Sequence, residues 1–128
     1  MDFSGFSWLA VIVAVVANMV LGFLWYGPLF GKSWLAAVGK KEDEMESNPS
    51  MYLIPIVATL VMAIILWNVM QATGLSGIMA GFWMWVGFSA LHTLTNTIFR
   101  GSGTTLWALE SANQLVGFVL TGFIMGAL

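Results

Sequence analysis

The chain has 128 residues, 59% of them hydrophobic and only 8% charged, with a formal net charge of -2 and a mean hydropathy of +0.91. A water-soluble domain carries about a quarter charged residues, so most of this surface is built for lipid, and the small net charge leaves no electrostatic footprint for a nucleic-acid partner. The absence of cysteine excludes a disulfide framework, thiolate metal sites and a cysteine nucleophile.

The useful count is therefore of spans, each needing ~20 apolar residues to cross ~30 Å of hydrocarbon. The first runs from about Gly5 to Tyr26. Met1-Asp2-Phe3-Ser4 has no basic region and the apolar run ends in Trp25-Tyr26-Gly27-Pro28, so it reads as a retained span and not as a signal peptide. Gly27-Pro28 removes a backbone donor and should end or sharply kink this helix. Leu29 to Val38 carries Phe30, Lys32, Trp34 and Leu35, a pattern suited to lying in the interface, and Lys40 to Glu46 is a charged, solvated linker.

Tyr52 to Gln71 forms the second span, with Pro55 in its first turn, where a missing N–H costs least. Ala72 to Ser76 has room only for a tight turn, so Gly77 to Phe99, the third span, runs antiparallel to the second. Gly101-Ser102-Gly103 makes another tight turn before the fourth span, Thr105 to Leu128. The expected fold is all-α: one membrane domain over residues 1–128, a bundle of four transmembrane helices at about 5–26, 52–71, 77–99 and 105–128.

Lys32, Lys40 and Lys41 fall in the first connection and Arg100 in the third, which predicts that these two face the cytoplasm and that both termini lie outside. Aromatic placement agrees, with Trp25, Tyr26, Trp34, Tyr52 and Trp107 at the inner boundary and Trp8, Trp67 and Trp83 towards the outer one. Trp25, Tyr26, Pro28, Lys32 and Trp34 read as an interfacial anchor that sets the depth of the first span, or as a platform for a lipid headgroup.

The run Gly22-Phe23-Leu24-Trp25-Tyr26-Gly27-Pro28-Leu29-Phe30-Gly31-Lys32-Ser33-Trp34 resembles the signature of the small four-span prokaryotic membrane proteins of the domain-of-unknown-function family numbered seventeen sixty-one. The resemblance extends through Trp85-Val86-Gly87-Phe88, Asn96-Thr97-Ile98-Phe99 and the tail from Gly122 to Leu128. It implies a four-span fold in a bacterial or archaeal inner membrane and no particular activity. At Glu110 this chain departs from the family pattern, where a neutral Asn is usual, and Asn113-Gln114 stand where aromatics are common.

Polar side chains inside a bilayer are expensive, so each is both a functional candidate and a possible interhelical bond. With a turn near Ser102, positions of equal depth in spans three and four sum to about 202 to 204, which matches His92 with Glu110 and Ser89 with Asn113. His92 and Asn96 are i,i+4 neighbours; Glu110, Asn113, Gln114, Gly117 and Thr121 form one stripe; Asn18 lies at comparable depth in the first span. One reading surrounds a hydrated cavity with His92, Asn96, Glu110, Asn113, Gln114 and Asn18, in which imidazole and carboxylate relay a proton or bind a cation. The other is structural, with Glu110 hydrogen-bonded to His92 or reaching Arg100 and favoured by the positive end of its helix. Asn18 and Asn68 each suit a role as helix glue.

Gly77-xxx-Gly81 and Gly122-xxx-Gly126, extended by Ala10-xxx-Ala14 and Gly117-xxx-Thr121, permit close helix contact within the bundle or between copies. The sequence holds no nucleophile elbow, no phosphate loop and one histidine, so no catalytic residue, cofactor or metal is expected. The expected function is that of a non-enzymatic membrane protein in contact with the lipid bilayer, a homo-oligomer or an accessory subunit of an inner-membrane complex. The alternative is a small carrier or channel for a proton, cation or small solute using Glu110 and His92.

Overall fold

The computed structural model describes residues 5–38, 50–101 and 103–128; the Lys40 to Glu46 linker and the Tyr52 side chain lie outside what it describes. Among the described residues the α-helices are, in order, α1 (Trp8–Leu24), α2 (Gly31–Val38), α3 (Ser50–Thr73), α4 (Gly77–Trp85), α5 (Leu91–Arg100) and α6 (Thr104–Ala127). A π-helical turn at Trp25–Leu29 follows α1, and a second at Val86–Ala90 joins α4 to α5 into one continuous rod. Among the described residues four stretches are long and apolar enough to cross a membrane: Trp8–Leu29, Leu53–Thr73, Gly77–Arg100 and Thr104–Ala127. Phe23, Phe88 and Phe99 are 77%, 73% and 85% exposed. Water would penalise so many bare aromatics, whereas lipid accepts them, and the chain is a multi-pass membrane protein built as a four-span bundle.

Local chemistry sets the element boundaries. The Ser7 hydroxyl caps α1 by accepting from the Ala10 N–H at 3.1 Å, and Ser76 caps α4 by accepting from the Met79 N–H at 3.3 Å. The α3–α4 turn needs Gly74 at φ +74°, and the α5–α6 turn needs Gly101 at φ +70°, a region that suits a residue without Cβ. Gly27 leaves helical geometry at φ -113°, ψ -107°, directly before Pro28, so the first span kinks where the sequence removes a donor. α3 begins at Ser50, so Pro55 sits in its second turn and not, as expected, in its first. So near a helix end only one i→i-4 bond is lost, and the start reaches past the proline.

α6 is the hub, packing against α1, α2, α3, α4 and α5. Its closest partner is α4. A Cβ on Gly77 would stand 1.8 Å from the Gly122 carbonyl oxygen, one on Gly122 would stand 2.0 Å from the Gly77 oxygen, and one on Gly81 would stand 2.4 Å from the Phe118 oxygen. The small-residue pairs therefore serve contact inside the bundle. The core beside them is built from Ala10, Val11, Ala14, Ala63, Ile124 and Met125, small or flexible groups that bring backbones together where no hydrophobic drive separates helix from lipid.

The first and third connections lie at the same end of the bundle. There the Trp25 indole N–H donates to the Leu109 carbonyl at 3.0 Å, and Trp25 packs on Phe30 with ring centroids 4.6 Å apart. Replacing Trp25 with Phe keeps the ring and removes this donor, so the variant should lose about 1 kcal/mol. The loss would be read as a lower thermal midpoint in mild detergent, and an unchanged midpoint would show that the bond carries no stability.

Candidate functional site

Between α5 and the first half of α6 lies a cavity of about 260 Å³. α5 contributes Thr93, Asn96, Thr97, Phe99 and Arg100, and α6 contributes Leu106, Trp107, Glu110, Ser111 and Gln114. Arg100, the last residue of α5, and Glu110, six residues into α6, are not joined to each other in an ion pair. At 1.5 Å per residue Glu110 lies ~9 Å further along α6 than its start. A guanidinium and a carboxylate thus stand in series along one cavity.

The wall is held by side-chain bonds to backbone. Thr97 Oγ1 donates to the Thr93 carbonyl at 2.8 Å, and Thr93 Oγ1 to the Ser89 carbonyl at 2.7 Å. The Trp107 indole N–H donates to the Ala90 carbonyl at 3.2 Å and to Thr93 Oγ1 at 3.1 Å. Trp85 Nε1 donates to the Ser111 carbonyl at 2.9 Å, and the Ser89 hydroxyl donates to the Gln114 side-chain oxygen. Ser111 differs from all of these. It is 3% exposed, its hydroxyl has no hydrogen-bond partner, and it lines the cavity. A buried hydroxyl in that state is satisfied by whatever polar group enters beside it.

Glu110 also faces the first span. The Trp34 indole N–H of α2 donates to Glu110 Oε1 at 3.3 Å, and the Trp34 and Tyr26 rings meet edge to face at 5.1 Å. Tyr26 lies beside both Glu110 and the Asn113 side chain. The aromatic residues expected as an interfacial anchor therefore also grip α6, while Lys32 and Pro28 remain exposed.

Of the six residues expected around a cavity, Asn96, Glu110 and Gln114 line it. Asn113 does not; it stands on the Tyr26 side, with its buried Oδ1 unpartnered. Asn18 sits deeper in the bundle. It donates to the Ala14 carbonyl at 2.9 Å and across the helix interface to Thr121 Oγ1 at 2.8 Å.

His92 is exposed and lies outside the cavity. The expectation that placed it opposite Glu110 rests on a regular helix, and the π-helical turn Val86–Ala90 corrects it. A straight helix carrying Gly77 and Gly81 inward would turn residues 88, 92 and 95 inward as well. The π turn takes up one extra residue, about 100° of rotation, so Ala90, Thr93 and Thr97 face inward and Phe88 and His92 face out. Ser111 carries no signal in the sequence, where Arg100 reads as a cytoplasmic basic residue and as a partner within reach of Glu110. The one signal available was the run Ser89, Thr93, Thr97 at four-residue spacing, which marks the true inner face.

A family model described as "Protein of unknown function (DUF1761)" matches residues 9–126. The chain belongs to this family. Its match takes in the kinked stretch at residues 22–34 as well as both walls of the cavity. No curated protein matches the chain, and no solved structure does.

Proposed function

We propose that this is a non-enzymatic membrane protein that takes a small polar solute or ion into the cavity between α5 and α6, and that it works as one subunit of an assembly in a prokaryotic inner membrane. One observation carries the reading: Glu110 and Arg100 line the same cavity without pairing with each other. Glu110 stands ~9 Å into α6, and a carboxylate retained at that depth is costly and commonly marks a ligand or ion pathway; Arg100, at the exposed end of α5, supplies the opposite charge at the mouth. Among the described residues the cavity walls carry a single carboxylate and no imidazole, a set that suits binding better than hydrolytic acid–base chemistry.

The far half of the same seam supports the assembly. Gly77 and Gly122 bring the α4 and α6 backbones into direct contact, so one protomer offers a one-ended vestibule along this seam and a passage requires further subunits. Lys32, Lys40, Lys41 and Arg100 belong to the connections at the cavity's end, which favours a cytoplasmic mouth.

Glu110→Gln removes the charge and keeps the shape. Binding of small charged solutes to purified protein, followed by titration calorimetry in mild detergent, should weaken at least tenfold, about 1.4 kcal/mol. Equal binding of every solute tried by wild type and variant would sink the reading.

A further inference from the structure

We infer that the cavity takes a small zwitterion, its anionic end on Arg100 and its ammonium end on Glu110. This rests on the proposed reading of the cavity as a solute site and names the class of solute. The first argument is charge. Among the described residues the walls carry one positive and one negative group, not joined to each other. A lone cation drawn to Glu110 meets the guanidinium of Arg100, and a lone anion drawn to Arg100 meets the carboxylate, so the second charge opposes either one. A molecule bearing both charges, in the same order along the cavity, meets neither.

Spacing gives the second argument. Arg100 ends α5 at the turn, while Glu110 stands six residues into α6, ~9 Å along its axis. The two charges of the ligand are therefore held apart by methylene groups, as in an ω-amino acid or phosphoethanolamine, and are not crowded on one carbon. Trp107 and Phe99 supply apolar wall for that linker. The third argument is the unpartnered hydroxyl. Ser111 directly follows Glu110 on the cavity wall, and its buried oxygen, free of any partner, accepts an N–H from the ammonium end. Trp34 occupies Oε1 of Glu110, which leaves the second carboxylate oxygen for the same group. The volume is adequate: about 260 Å³ exceeds the roughly 150 Å³ that admits benzene in an engineered protein cavity.

The same chemistry comes from a free solute or from the headgroup of phosphatidylethanolamine, and the test separates them. Purified protein in a non-ionic detergent is titrated with O-phosphoethanolamine, β-alanine, ethanolamine and inorganic phosphate, with calorimetry as the readout. At least one zwitterion should bind ten times more tightly than ethanolamine or phosphate alone. Arg100→Gln should reduce that affinity to the level of ethanolamine, and Glu110→Gln to the level of phosphate. Repeating the titration in nanodiscs of phosphatidylglycerol with and without phosphatidylethanolamine assigns the source. Loss of soluble zwitterion binding only with phosphatidylethanolamine present identifies a lipid headgroup, and undiminished binding identifies a free solute; either result supports the zwitterion. Ethanolamine or phosphate binding as tightly as both zwitterions would overturn it while leaving a solute site intact. Binding of no probe in the wild-type protein would overturn both.

Discussion

Replacing Gly77 with valine should destabilise the bundle by about 3 kcal/mol or more. The first added carbon would stand 1.8 Å from the Gly122 carbonyl oxygen and 2.4 Å from its carbon, and both are backbone atoms that no rotamer change can move aside. Relief requires α4 and α6 to separate. That separation also opens the contact one turn on, where a Cβ on Gly81 would stand 2.4 Å from the Phe118 oxygen. Overpacking a close interface costs roughly 1–3 kcal/mol, and the lost contact between the two backbones adds to it. Total stabilities of about 5–15 kcal/mol leave little room for such a loss. The thermal midpoint of the purified variant in mild detergent should fall sharply. Gly22→Ala is the matched control, since its Cβ would meet nothing within 4 Å, and an alanine in a helix interior should gain about 0.5–1 kcal/mol over glycine. A Gly77→Val protein that melts with the wild type would refute the close α4–α6 contact.

Asn18→Leu should cost about 2 kcal/mol, the second largest effect expected of a single substitution. Its amide bonds Thr121 Oγ1 at 2.8 Å across the α1–α6 interface, an interaction worth about 0.6–1.7 kcal/mol in membrane helices. Asn18 Oδ1 also faces Gly117, where a Cβ would stand 2.8 Å away, so the pocket opposite is already filled. Leucine cannot make the bond and brings branched carbons to that spot, adding overpacking to the loss. Asn18→Ala, which makes no clash, should cost about half as much. Chemical unfolding in detergent with both variants separates the two terms. If alanine proves as damaging as leucine, then the hydrogen bond and not the packing dominates.

The number of spans and the first kink were legible because lipid forces them. A chain with 8% charged residues must satisfy its backbone within helices, and Gly27-Pro28 removes a donor from one of them. Depth was legible too. The expected partner of Ser89 was Asn113, and its bond goes to the next residue, Gln114, which satisfies the same depth rule. Azimuth was not legible. The π turn at Val86–Ala90, unlike the one at Trp25–Leu29, has no proline to announce it, and its residues suit either geometry. His92 was therefore assigned to the inner face that Thr93 occupies. The small-residue spacings showed that close contact occurs somewhere, but only the folded chain matches Gly77 with Gly122. Arg100 sits at a helix end, where a cation needs no special reason, and Ser111 is a small hydroxyl in an otherwise plausible helix; neither residue type marks itself as lining a cavity.

The π turn at Val86–Ala90 also decides where this span tolerates a change in length. Elsewhere in Gly77–Arg100, deleting one residue turns everything beyond it by about 100° and swings Thr93 and Thr97 out of the cavity. Within the turn, the same deletion relaxes an i→i+5 loop into ordinary α-helix and leaves both flanks where they were. The cavity half of the span and the glycine-packed half are thus joined by a one-residue splice, and relatives one residue shorter at that point should keep both walls in place.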